Sequence, residues 1–222
     1  MIKFNYTDGS KSEITSKQLK EGCKKLQLQY SEDIVNAYAD KEQMILYAIE
    51  YIKKECSLLD ISNPKHCTGS KDPRFIELWI KVEMYIEYIA IMCIGLTDIW
   101  ALFLNNSFSL GIDENKVLFT NIKDKFTKKH QNHPLTCRIV DKFNEIKDSD
   151  EYKYLYHLDN FVKHNNVIST TMKLTICPKI GYFSIKEFIH TGETCSQISL
   201  DEFLEKVTKF RLNLVELFKV FL

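Results

Sequence analysis

The sequence lacks net charge: thirty Lys and Arg offset thirty Asp and Glu over 222 residues. The molecule as a whole therefore has no field to gather nucleic acid or an anionic membrane, and any such contact must come from a local patch. Arginine is scarce, with only Arg74, Arg138 and Arg211, so the forked grip of guanidinium on phosphate is rarely on offer. The seven cysteines, Cys23, Cys56, Cys67, Cys93, Cys137, Cys177 and Cys195, are odd in number and include no CxxC pair. They read as reduced thiols and not as a disulfide framework. No apolar h-region opens the chain, since Met1 to Thr15 mixes polar and apolar residues, so a cytoplasmic location is expected.

Several motifs are also missing. A Walker A loop, GxGxxG, HExxH and GxSxG are all absent, which lowers P-loop, dinucleotide-binding, zincin and α/β-hydrolase readings. His66-Cys67 with Cys56 fits no standard zinc spacing, and Pro134 ends the segment that would let His130 and His133 share a helix face. Neither a metal nor a cofactor is expected. The most lipid-like stretch, Tyr85 to Leu104, is interrupted by Glu87 and Asp98. Its longest uncharged run, Ile99 to Ile112, is shorter than the roughly 20 apolar residues of a bilayer crossing, so the expectation is a core helix and no membrane. No repeat, low-complexity tract or linker divides the chain, and one domain over residues 1–222 is the simplest reading.

What is present is apolar mass, 45% of the residues with 14 Phe and 11 Tyr, enough for a sizeable core. Its period is mostly helical, and the expected fold is mainly α, a helical bundle around a long central helix. A first helix is read over Ser16 to Gln29. The next runs from an N-cap at Ser31 to near Asp60, with Val35, Tyr38, Ile45, Ile49 and Ile52 at helical spacing. Asp72-Pro73 places a carboxylate cap before proline at the first helical position, opening a helix to Leu104 about 50 Å long at roughly 1.5 Å per residue. Further helices are read near Asp113–His130, Leu135–Lys147 and Glu151–Ile168.

Two segments alternate with period two instead. Ile2, Phe4 and Tyr6 before Asp8-Gly9 suggest an N-terminal hairpin. Met172, Leu174 and Ile176, then Phe183 and Ile185 after Pro178 and Gly181, suggest a hairpin before the last helix. That last helix starts at the capping box Ser199-Leu200-Asp201-Glu202. Phe203, Val207, Phe210, Leu214, Leu217 and Phe221 follow as a narrow seam, suited to a bundle groove or a second subunit.

Two constellations bear on chemistry. Lys123, Lys125, Lys128, Lys129, His130, His133 and Arg138 form the most basic stretch, read as the wet face of a helix or as a patch that neutralises phosphates. The second is the segment Tyr152 to Ile168. At about 100° per residue its Tyr154, Leu155, Leu158, Phe161 and Val162 fall on one side, and His157, Asn160, Lys163 and His164 gather with Lys153 on the other. Imidazoles titrate near neutrality and lysines offset phosphate charge, so such a face can hold a phosphodiester and move protons. A solvated face that happens to carry two histidines has the same spacing.

At this helix the sequence resembles the HEPN superfamily, helical bundles whose late motif helix carries Arg, four to six residues, then His, often with Asn, Asp or His after the Arg. Asp159-Asn160-Phe161-Val162-Lys163-His164 matches the Asn and the final His, while Asp159 stands where the family has Arg. The resemblance implies a metal-independent endoribonuclease of a toxin or phage-defence system, working as a homodimer with facing motif helices. His164 would then be the catalytic histidine, Asn160 its orienting residue, His157 a second proton carrier and Lys163 the phosphate counter-charge, with Lys153, Lys125, Lys128, Lys129 and Arg138 along the RNA. The alternative it leaves is a non-catalytic helical module binding nucleotide, RNA or a protein partner such as an antitoxin. The homodimer is expected to turn the His157, Asn160 and His164 face toward the same face of its partner. Its apolar burial would come from the central helix between Phe75 and Phe103 or from the terminal seam through Phe210 and Leu217.

Overall fold

A computed structural model describes residues 14–58, 73–164, 168–176 and 179–222. The expected N-terminal hairpin lies outside them, as do His66, Cys67, Asp72 and Cys177. The fold is mainly helical, with small antiparallel strand pairs before the C-terminal helix, as the periodicity suggests. In chain order come α1 (Ser16–Lys25), α2 (Glu32–Leu58), α3 (Pro73–Ser107), α4 (Phe119–Lys129), α5 (Thr136–Asp148) and α6 (Asp150–Lys163). The strands β1 (Thr170–Ile176), β2 (Lys179–Ile185), β3 (Phe188–His190), β4 (Glu193–Cys195) and β5 (Ile198–Ser199) follow, and then α7 (Leu200–Lys219).

The chain divides into two compact units. The first comprises Ile94–Tyr152, Lys209–Leu222 and the described part of Met1–Gln43; the second comprises Met44–Cys93 and Lys153–Thr208. Helices α2, α3, α6 and α7 each supply a segment to both.

In the first unit, aromatic rings fill the space that the helical stripes enclose. Phe119 stacks on Phe143 with centroids 4.3 Å apart, Phe103 meets Phe218 and Phe221 edge-on, and Tyr38 meets Phe218 at 4.8 Å. The seam residues Phe210, Leu214, Leu217 and Phe221 are fully buried, so this part of the seam is spent on the core and not on a second subunit. Gly22 lets α1 approach the chain's end so closely that a Cβ there would overlap the Phe221 carbonyl oxygen.

Position 42 falls on the buried stripe of α2, between Tyr38 and Ile45, yet it is a glutamate. Its carboxylate is held by Arg211 of α7, whose Nε lies 2.9 Å from both oxygens and whose Nη2 lies 2.5 Å from Oε1; the two side chains are 1% and 3% exposed. Asp98 of α3 accepts from the Phe119 amide at 3.0 Å, taking one of the orphan N–H groups that begin α4. The carboxylate that interrupts an apolar helix in the sequence is thus the cap of its neighbour.

Helix ends depart from the sequence reading at α1 and α4, and again at the end of α6. The first helix, expected to reach Gln29, stops at Lys25 because Gln27 turns left-handed (φ 56°), and the amides of Gln27 and Leu28 donate back to Lys24 and Cys23. Those reverse bonds close a helix in the manner usually reserved for glycine. The helix expected from Asp113 starts only at Phe119; Asp113 instead caps a single 3-10 turn, Glu114–Lys116.

Helix α3 continues without a break through Gly95, as its periodicity predicts, to Ser107. From Ile76 to Ser107 it is long and apolar enough to cross a bilayer by length and composition, and just over half of its most apolar stretch is buried. Glu83 Oε1 accepts from Trp79 Nε1, the Thr170 amide and the Thr170 hydroxyl at 2.9–3.0 Å, and Glu87 takes the Ile168 amide at 3.3 Å. These carboxylates fix where β1 begins. The expected hairpin is β1 and β2, antiparallel with Thr170 opposite Ile185 and Ile176 opposite Lys179, and β5 adds to the β2 edge through Ser184–Ser199 and Ile185–Ile198. Strands β3 and β4 form a second hairpin, which the single alternating pattern read over Thr170–Thr191 does not separate. The capping box is in place: the Ser199 amide donates to Glu202 at 2.7 Å, and the Glu202 amide to the Ser199 hydroxyl at 3.2 Å.

The buried Glu42–Arg211 pair makes a direct stability test. Arg211→Met leaves an uncompensated buried carboxylate and is expected to cost roughly 3–5 kcal/mol, most of it recovered when Glu42→Leu is added. Urea denaturation of the single and double variants measures both.

Candidate functional site

Helix α6 begins where Ser149 accepts from the Tyr152 amide, and it presents Tyr154, His157, Phe161 and His164 at intervals of three and four. It ends at Lys163, five residues short of the expected Ile168, so His164 occupies the turn beyond it. The sequence divides these residues into an apolar side and a polar side. In the structure they meet one element together: Tyr154 and Phe161 pack on Phe188 of β3 at 5.7 and 5.1 Å, while His157 and His164 face His190 of the same strand at 5.3 and 6.3 Å. Phe188 and His190 are two apart and so share a face of β3.

His157 is consequently buried, 9% exposed, and not part of an open face. Its Nδ1 lies 3.0 Å from His190 Nδ1, and its Nε2 lies 2.9 Å from Glu193 Oε2. The His164 ring, exposed, lies nearly parallel to that of His190 at 14°. His190 and Glu193 face each other across the two-residue turn of the β3–β4 hairpin, in which Thr191 and Gly192 both have positive φ, 51° and 83°. That turn type matches the twist of the strands it joins, so it delivers an imidazole and a carboxylate to the same histidine of α6. Sequence reasoning missed both residues. The available signal was Thr191-Gly192 between His190 and Glu193, with His190 two strand residues from Phe188.

The imidazole of His190 is held below the ordinary histidine range, first by burial and then by His157 and His164, with Glu193 acting in the opposite direction. Asn160 Nδ2 donates to the Tyr156 carbonyl of its own helix at 2.7 Å. Lys163 is paired with Asp159, Nζ to Oδ2 at 2.7 Å, where Asp159 is 1% exposed. The carboxylate at the motif's first position thus lies beneath the surface with its charge offset, and Lys163 is already engaged.

Beside the histidines is a cavity of about 550 Å³ lined by Phe161, Ile168, Ser169, Lys186, Glu187, Phe188 and Ile189. Two of its walls, Phe161 and Phe188, stand one helical turn and two strand residues from His157 and His190. Its walls are mostly apolar, with one lysine and one glutamate of opposite charge at Lys186 and Glu187. No protein-family model, curated protein or solved structure matches the chain.

The remaining candidates distribute unevenly. Lys153 is exposed on α6. Lys125, Lys128 and Lys129 of α4 and Arg138 of α5 are also exposed, but they belong to the first unit while the histidines belong to the second. His130 and His133 are engaged locally: His130 Nε2 lies 3.1 Å from the Phe108 carbonyl, and His133 Nδ1 accepts the Leu135 amide at 3.2 Å. Among the described residues no three His, Cys, Asp or Glu side chains are placed to hold a metal ion together, and Cys23, Cys56, Cys93, Cys137 and Cys195 are free thiols.

The turn that presents His190 and Glu193 carries a β-branched residue in a left-handed conformation, which costs on the order of 1–2 kcal/mol. Thr191→Asn, a residue that tolerates this conformation, is expected to raise stability by about 1 kcal/mol without moving the strands. The midpoint of urea unfolding reads it, and an unchanged or lower midpoint contradicts this account of the turn.

Proposed function

We propose that the chain is a HEPN-like RNA-targeting protein, a metal-independent endoribonuclease of a toxin or phage-defence system that works in the cytoplasm as a homodimer. The observation that carries this reading is the exposed His164 at the end of the motif helix, stacked on a second imidazole beside a ring-sized cavity. An imidazole pair supplies the base and the acid that transesterification of an RNA phosphodiester needs, and such proton transfers are worth about 10²–10⁴-fold each. In this reading Asn160 serves through its backbone and its place beside His164, and His157 acts from behind the surface. Lys163 and Lys153 set the local charge, and Lys125, Lys128, Lys129 and Arg138 hold more distant phosphates.

A homodimer is supported by apolar surface that the fold leaves uncovered. Ile76, Ile80, Met84 and Ile91 run along one side of α3, and Met44 and Tyr47 of α2 belong to the same unit, all exposed. Phe103 and the terminal seam are spent on the core, so the dimer surface proposed on the central helix narrows to this stripe. Because His157 is covered, a facing subunit would meet His164 and Lys163 in its place.

A second reading is favoured by one feature. Asp159, with Lys163 bound to it, stands where the motif has arginine, so the fork that would stabilise a pentavalent phosphorane is absent there. On that ground the chain is a non-catalytic helical module that binds nucleotide, RNA or a protein partner such as an antitoxin. Single-stranded RNA incubated with purified protein in excess EDTA separates the two. The enzyme reading expects cleavage by the wild type, a drop of at least about 100-fold in His164→Ala, and a dimer by light scattering at micromolar concentration. Equal cleavage by both proteins, or intact RNA with a monomer, contradicts it.

A further inference from the structure

We propose that His190 of β3 is the general base of the site, held in its reactive tautomer by His157 and Glu193. The inference rests on the ribonuclease reading for its substrate, but the relay itself follows from hydrogen-bond chemistry. An ionised carboxylate only accepts, so the nitrogen it faces, His157 Nε2, carries a proton. In a neutral imidazole the other nitrogen is then bare, and His157 Nδ1 must accept. The atom 3.0 Å away is His190 Nδ1, which therefore donates. One proton on His190 is fixed at Nδ1, and the lone pair is left on Nε2, which has no hydrogen-bond partner among the described residues. His190 is half-buried, so that lone pair is open to a ligand.

The arrangement has the logic of a carboxylate orienting a histidine, extended by one imidazole. His190 Nε2 takes the proton of a ribose 2′-hydroxyl as the 2′-oxygen bonds to the adjacent phosphorus. The bond from phosphorus to the 5′-oxygen breaks, and that oxygen receives a proton from the His164 imidazolium. The products are a 2′,3′-cyclic phosphate and a 5′-hydroxyl, with no other reactant consumed. The charge gained by His190 does not remain on it: the Nδ1 proton shifts to His157 Nδ1, and the resulting imidazolium lies against Glu193. His157 and Glu193 are thus positioning residues. His190 and His164 are the pair that meets the substrate, and the nearly parallel rings of those two put the base and the acid on one surface.

Lowering of the His190 proton affinity supports the assignment, and the groups that face it are His157 and His164 from α6 and Glu193 from β4. Removing the carboxylate takes away the one influence that raises it. In Glu193→Gln the rising, base-dependent limb of the rate profile should move to lower pH while the RNA concentration at half-maximal rate holds. A structural role alone would shift neither limb.

Two measurements on the full-length protein test this. The first is nitrogen-15 NMR of the histidine rings in the wild type near pH 8. It should find His190 protonated at Nδ1 and His157 at Nε2, and the opposite tautomers overturn the relay whether or not RNA is cleaved. The second compares cleavage of a labelled single-stranded oligoribonucleotide in EDTA by the wild type, His190→Gln and Glu193→Gln, each checked for an unchanged unfolding midpoint. Loss of at least about 100-fold in His190→Gln supports the base, as does a shifted pH profile in Glu193→Gln. Cleavage by His190→Gln at the wild-type rate leaves the ribonuclease reading in place and overturns His190 as its base. Intact RNA with the wild type overturns the ribonuclease reading and this step with it.

Discussion

Three half-buried carboxylates interrupt the apolar helix Pro73–Ser107, and the placement of its neighbours follows from the donors that satisfy them. Glu83 and Glu87 take the amides of Thr170 and Ile168, which fixes the first residue of β1. Asp98 takes the amide of Phe119, which fixes the first residue of α4. Each bond replaces part of the hydration that partial burial removes.

The histidine cluster depends on geometry at two scales. Helical spacing carries His157 on α6 and His164, in the turn just beyond it, to one side, and strand alternation puts Phe188 and His190 on one face of β3. Where those faces meet, apolar pairs flank polar ones: the Phe188 contacts with Tyr154 and Phe161 set the distance at which His190 can reach both histidines. At the other end of the chemistry, the Thr191–Gly192 turn places Glu193 opposite His190, so one tight hairpin supplies both partners of a single buried imidazole.

Much of the fold could be read from residue order. Asp72-Pro73, the Ser199–Glu202 box and the Ser31 cap are local, and so is the period of α2, α3 and α7, so the elements they define lie close to where they were expected. What could not be read depends on contacts distant in sequence or on unusual backbone. Nothing in Gln27 or Ser109 announces a left-handed helix end, since that conformation is ordinarily glycine's. Glu42 breaks a buried stripe and pairs with Arg211, 169 residues away. The site was half legible: the motif helix and His164 are there in the sequence, but His190 and Glu193 join them only through tertiary packing, and Asp159 looks repulsive until its pairing with Lys163 is seen.

The central claim is that His157, His164 and His190 form one interacting group. Proton NMR titration of their ring Cε1–H signals tests it most directly, in the wild type and in His164→Ala, a replacement at an exposed turn. The account predicts that His190 titrates below the ordinary histidine value and that its midpoint rises when His164 is removed, because a positive neighbour has been taken away. A His190 midpoint at the ordinary value, unchanged by the substitution, would contradict it.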